Sequence, residues 1–136
     1  MRAVLDTNVL VSALFWRGSS HTCIQAAEAG LYVFISADEI LQELHDKLIE
    51  KFDNTPEEAQ ASVAGFRRLA TLVSLSGQSG WVRDDPDDDK FIEAAIVGNA
   101  EVVVSGDHHV LKLRGLQGIE VSTPRRFLER LARSTR

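Results

Sequence analysis

Short aliphatic and β-branched runs recur along the chain, with polar or turn-forming residues closing each one. Residues 3–5 (AVL) end at Asp6, and 32–35 (YVFI) end at Ser36. Residues 101–105 (EVVVS) end at Gly106-Asp107, and 119–121 (IEV) close the series. Between them the apolar positions change to a helical period. After Ser36, the residues Ile40, Leu41, Leu44, Leu48 and Phe52 recur at the spacing that makes one face of a helix. Ser36-Ala37-Asp38-Glu39 reads as a capping box for that helix, with Glu39 reaching back to the cap. Thr55-Pro56-Glu57-Glu58 is a second start, with a proline suited to the first helical position and acids at the positive end of the dipole. That helix is predicted to run to about Leu72. Another is predicted from about Asp88 to Asn99, and a last opens at Thr123-Pro124 and carries Phe127, Leu128 and Leu131. The stretch 76–86 (SGQSGWVRDDP) reads as a loop. Short strands alternating with helices predict βα units around a parallel sheet.

The 136 residues are expected to form one domain, 1–136, burying about two-thirds of its unfolded surface. Apolar residues make up 44% and charged residues 26%, an ordinary globular balance. No run approaches the ~20 apolar residues of a membrane span. Arg2 and Asp6 interrupt the apolar N-terminus, which argues against a signal peptide. The single cysteine, Cys23, excludes an internal disulfide and suits a reducing cytoplasm, the expected location. One cysteine also makes no zinc site.

The net charge of −5 is unevenly distributed. Asp84, Asp85, Asp87, Asp88 and Asp89 fall within six residues, while the chain from Arg114 to Arg136 carries six arginines against Glu120 and Glu129. An acidic centre that needs a cation, beside an Arg-rich end, is compatible with a metal-dependent nuclease. Arg125, Arg126 and Arg130 are the candidates for contact with nucleic-acid phosphates; the alternatives are a solvated surface or a place in a dimer interface.

In an open parallel sheet, ligands bind beyond the carboxyl ends of the strands where strand order reverses. Asp6 and Asp107 each follow a predicted strand and so stand at that edge, although either could simply cap the next helix. Within the aspartate cluster, Asp88 is in line with Ile92, Ala95 and Asn99 on a helix turning about 100° per residue, and Asp89 is rotated to one side. Asp88 is therefore the carboxylate expected over the sheet edge, with Asp89 and Asp85 supporting it and Asp84 and Asp87 solvated. Glu43 lies at the margin of its helix's apolar stripe, either leaning toward that edge or solvated. Four crowded carboxylates would repel one another, and a hard divalent cation with oxygen ligands relieves that conflict. Such an ion can polarise a phosphoryl group and supply a hydroxide-like water, so no nucleophilic Ser or Cys is needed.

Four motifs carry a resemblance to a known family. They are Val4-Leu5-Asp6-Thr7-Asn8-Val9-Leu10, Ser36 through Leu44, Arg83 through Ile92, and Val104-Ser105-Gly106-Asp107-His108-His109-Val110-Leu111. The terminal Thr123-Pro124-Arg125-Arg126-Phe127-Leu128 also fits. In this order and spacing, over nearly the whole chain, they resemble the PIN-domain family, and within it the VapC-type toxins of toxin–antitoxin pairs. The resemblance implies a Rossmann-like three-layer α/β/α sandwich with a central parallel sheet of four or five strands. It implies an endoribonuclease using Mg²⁺ or Mn²⁺, with Asp6, Glu43, Asp88 and Asp107 as metal ligands and catalytic carboxylates. Asn8 and Ser105 correspond to polar residues that hold ligands or waters in place. Glu43 would position or deprotonate a water whose in-line attack leaves a 5′-phosphate. A cognate antitoxin and a homodimer are the implied partners besides RNA. One departure is His109, where relatives often carry an acid two residues after the last aspartate; it bears on a second metal ion.

Two other phosphate-handling folds place carboxylates on a parallel sheet. A haloacid-dehalogenase-type phosphatase wants an acid two residues after its first aspartate, where this chain has Asn8. A two-component receiver wants its acceptor after the third strand and a lysine near the fifth, a pattern not evident here. The alternative outside enzymes is a catalytically silent PIN fold acting as an RNA-binding or protein-interaction module.

Overall fold

The computed structural model describes residues 1–76, 89–106 and 118–134, with Asp89 by its backbone alone. Its sheet has five parallel strands: β1 (Arg2–Leu5), β2 (Val33–Ser36), β3 (Thr71–Leu72), β4 (Val102–Val104) and β5 (Glu120–Ser122). Their order is β3-β2-β1-β4-β5. The chain therefore builds outward from β1 to β3, then returns past β1 to lay down β4 and β5. The switch point falls between β1 and β4, where Leu5 pairs with Val104. Ala3, Val4, Leu5, Val102, Val103 and Val104 are all buried, as expected of strands covered on both faces in a three-layer α/β/α sandwich.

Six helices are described: α1 (Thr7–Phe15), α2 (Ser19–Glu28), α3 (Asp38–Phe52), α4 (Pro56–Leu69), α5 (Asp89–Val97) and α6 (Pro124–Ser134). α1 packs on α2 and α3, α3 on α4, and α2 on α6, while α5 lies across β1, β2 and β4. The apolar stripe of α3 buries Ile40, Leu41, Leu44 and Leu48, and α6 buries Phe127 and Leu131. The Phe127 ring meets Tyr32 edge-on. Close approach of α5 to the sheet depends on Gly98, where a Cβ would stand 2.7 Å from Ile35 Cγ2. No helix among the described residues is long and apolar enough to cross a membrane.

The four expected strands appear within one residue of their predicted limits. The start of α4 is also as expected: Thr55 accepts from the Glu58 N–H, Glu58 accepts from the Thr55 N–H, and Pro56 is the first helical residue. Three expectations are corrected. The capping box at Ser36–Glu39 does not form. Ser36 is the last residue of β2, its carbonyl accepting from Val73 N–H, and the N-cap of α3 is Ala37 with no side-chain bond. The sheet ladder claims the serine before the helix can use it. Next, α4 ends at Leu69 rather than Leu72, because Thr71 and Leu72 pair with Ile35 and Ser36 as an edge strand. Both are exposed, so no hydrophobic alternation marked them. Finally, α5 ends at Val97, and Asn99 is exposed with φ 53°, off the buried stripe assigned to it. The predicted loop beyond Ser76, the aspartates 84–88, and Asp107 with His109 lie outside the described residues.

Candidate metal-dependent active site

Asp6 is the first residue beyond β1. Its N–H donates to Val104 O (3.0 Å), so its backbone still follows the ladder while φ −73° and ψ 167° turn the chain into α1. The side chain caps that helix: Val9 N–H donates to Asp6 Oδ1 at 2.9 Å. The Ser105 hydroxyl, from the residue that follows β4, donates to Asp6 Oδ2. Capping and the sheet-edge position, alternatives from sequence alone, are here two features of one residue. At 2% exposure, a carboxylate fixed at both oxygens sits at the switch point between β1 and β4. The positive end of α1 favours its negative charge.

Other oxygen donors end neighbouring strands. Ser36 closes β2, and Thr7 follows Asp6. The hydroxyls of both are buried without a hydrogen-bond partner among the described residues. A buried, unsatisfied hydroxyl costs roughly 1–3 kcal/mol, so each wants a partner. Among the described residues the softer donors lie elsewhere. Cys23 lies on α2 with its thiol toward Pro124 O, and His45 pairs with Asp46 on the surface of α3. The described donors at this edge are thus carboxylate and hydroxyl oxygens, a set that fits a hard divalent cation. Among the described residues no group of three or more His, Cys, Asp or Glu could hold a metal. Two of the four expected ligands, Asp88 and Asp107, are not among them.

Glu43 is half-exposed on α3, with Lys90 Nζ of α5 at 2.7 Å from its Oε2. One turn further along α3, Lys47 Nζ donates to Asn8 Oδ1 at 2.9 Å. Asn8 is exposed in the first turn of α1, so its amide is engaged with α3. Ser105 and Asp6 are brought together; Glu43 and Asn8 are joined instead to the two lysines.

The arginines separate into two groups. Arg130 pairs with Glu120 (2.5 Å) and Glu101 (3.3 Å), which lie at the amino ends of β5 and β4, the edge opposite Asp6. Arg125 and Arg126 are exposed in the first turn of α6, just past the carboxyl end of β5.

Lys47, Lys90 and Glu93 were not singled out from the sequence. Glu93 is 5% exposed and accepts from Ser76 N (2.5 Å) and Ser76 Oγ (2.6 Å). It pins the chain to α5 just before the aspartate-rich segment. Its only sequence signal is an acid inside the apolar run Phe91-Ile92-Glu93-Ala94-Ala95.

Five parallel strands in this order, helices on both faces and a buried carboxylate at the switch point define a doubly wound α/β protein with an oxygen-donor site at its strand ends. Residues 2–109 match the model of the PIN domain, and the chain belongs to the PIN-domain family, whose members are generally nucleases that use divalent metal ions. The fold is similar to that of a chain in the crystal structure of VapBC2 from Rickettsia felis bound to a DNA fragment from their promoter. That likeness has a TM-score of 0.64 and 16% sequence identity over 90% of this chain and 98% of that one. No curated protein matches the sequence.

Proposed function

We propose that this protein is a Mg²⁺- or Mn²⁺-dependent endoribonuclease and the toxin of a toxin–antitoxin pair. The observation that carries the reading is Asp6: a buried carboxylate held by Val9 N–H and the Ser105 hydroxyl at the switch point of a PIN-family sheet. Asp6, Asp88 and Asp107, with Glu43, would hold the ion, and Asp85 and Asp89 would support them. When bound, the ion supplies Lewis acidity at the phosphoryl group and acidifies a water. Asp6 contributes a charge that is already oriented, so little reorganisation accompanies binding. Glu43 accepts or directs the proton of the attacking water, and in-line displacement of the 3′-oxygen leaves a 5′-phosphate. The chemistry does not need the 2′-hydroxyl; preference for RNA would come from the shape of a flexible single strand.

An antitoxin and a second copy of the chain are the protein partners in this reading. Leu14, Phe15 and Trp16, exposed together at the end of α1, offer an apolar surface for such a partner. A cytoplasmic location goes with that role.

The test is release of 5′-phosphate fragments from RNA by the purified protein with Mn²⁺, abolished by EDTA and by Asp6→Asn. Full activity in purified Asp6→Asn would overturn the site. RNA left intact by the wild type with either metal would favour a catalytically silent, RNA- or protein-binding PIN fold.

A further inference from the structure

We infer that Lys47, positioned by Asn8, contacts an RNA backbone phosphate beside the scissile bond. The inference rests on the nuclease reading and assigns its substrate contact. Lys47 lines a cleft of about 480 Å³, a size typical of ligand clefts, whose other charged groups are Lys51 and Lys90 and the carboxylates of Glu39, Glu43, Asp46 and Glu50. On a helix, a lysine four residues after a glutamate ordinarily pairs with it. Here that partner is taken, because Glu43 meets Lys90 at 2.7 Å. The adjacent Asp46 is also engaged, accepting from Gln42 (2.9 Å) and His45 (3.1 Å). Lys47 turns the other way and bonds the neutral amide of Asn8, two residues beyond Asp6. It makes no ion pair among the described residues.

The result is an ammonium on a half-buried lysine, held across α1 and α3 by a solvent-exposed bond and without an ion pair among the described residues, beside the candidate carboxylate site. An acidic protein that cuts a polyanion needs such a cation close to the reacting phosphate, where a metal neutralises only the scissile group. A neutral anchor is the means of fixing an ammonium without spending its charge, since a carboxylate in place of Asn8 would cancel it. Asn8 is thus a positioning residue, acting through Lys47.

The experiment follows a labelled single-stranded RNA oligonucleotide by fluorescence anisotropy with Ca²⁺, across a range of KCl concentrations, and then its cleavage with Mn²⁺. Lys47→Gln should weaken binding about tenfold, the loss of one charge-assisted contact. It should also make the slope of log affinity against log salt shallower by about 0.7. In cleavage it should raise KM and leave kcat near that of the wild type. Lys47→Arg should restore the slope. Asn8→Ala should weaken binding while retaining the slope, because the charge remains. Affinity and slope unchanged in Lys47→Gln overturn the inference, as does a loss confined to kcat. A wild type that binds RNA and does not cut it fails the nuclease reading and leaves the Lys47 comparison intact. A wild type that does not bind RNA overturns both.

Discussion

Lys90 Nζ lies 2.7 Å from Glu43 Oε2, tying the first turn of α5 to the face of α3 beside the candidate site. In the metal-free protein this ion pair compensates a carboxylate the nuclease reading gives to the metal. Lys90→Met should therefore lower the apo unfolding free energy by up to about 1 kcal/mol, read as a lower melting temperature, because both side chains keep some solvent contact. It should tighten Mn²⁺ binding by calorimetry, since an ammonium at that distance opposes a dication. Weaker Mn²⁺ binding in Lys90→Met would mean that the lysine orients Glu43 for the ion rather than competing with it.

Asp6→Asn separates charge from structure. Asparagine still caps a helix through its side-chain oxygen, and its amide can donate to Ser105, whose hydroxyl also accepts. The variant should keep the wild-type apo melting temperature or exceed it, and lose Mn²⁺-dependent cleavage. Asp107→Asn should behave likewise. Asp6→Ala removes the cap as well and should cost about 1 kcal/mol or more of stability. Equal melting temperatures for Asp6→Asn and Asp6→Ala would show that the Val9 bond contributes nothing.

Within the aspartate cluster, Asp88→Asn should reduce cleavage more than Asp89→Asn if the helical phase expected from the sequence holds, since that phase would put position 88 over the sheet edge. Steady-state rates of the two variants, at matched metal concentration, decide the matter. A larger loss at Asp89 would put that carboxylate, not Asp88, over the sheet edge.

Gly98→Ala should destabilise the protein by about 1–3 kcal/mol in urea unfolding, through overpacking of the sheet–helix contact. The added methyl would meet Ile35 Cγ2 at 2.7 Å and Ala94 O at 2.9 Å, and Ile35 is fully buried with nowhere to retreat. Arg2 Nε also donates to Gly98 O at 2.7 Å, so a shift of this turn strains a second contact. A fully stable Gly98→Ala would mean that α5 rides higher on the sheet.

Burial of Cys23 pushes its thiol up to about 12, and burial first, with Cys23 second, raises the Tyr32 hydroxyl as well. Folding therefore favours the protonated thiol. The stability this contributes is complete below the unfolded-state pKa of about 8.5, and it is lost as pH rises from there toward 12. Urea midpoints should fall above pH 9, less steeply in Cys23→Ala once its own destabilisation is subtracted. At pH 8 the thiol should react with a disulfide reagent only in denaturant; rapid reaction of the folded protein would contradict its burial.

The strand residues were legible because a strand covered on both faces must be a continuous apolar run, and that pattern is local. The same is true of Thr55 and Glu58, whose capping bonds span three residues. Asp6 could be placed at a strand end from the sequence, and so became a candidate. What lies beside it could not be read locally. Ser105 reaches Asp6 across 99 positions because β4 is laid against β1 after the chain has gone out to β3 and back, and strand order is a property of the whole sheet. Ser36 looked like a helix cap until the pairing of β2 with β3 claimed its backbone, and β3 itself is too short and exposed to leave a periodic signal. The partners of Glu43 and Asn8 were equally hidden. Helical spacing would pair Glu43 with Lys47, but packing of α5 against α3 brings Lys90 to it first and sends Lys47 to Asn8. Periodicity along a chain determines which face of an element is buried; only the packing of elements decides which charges meet.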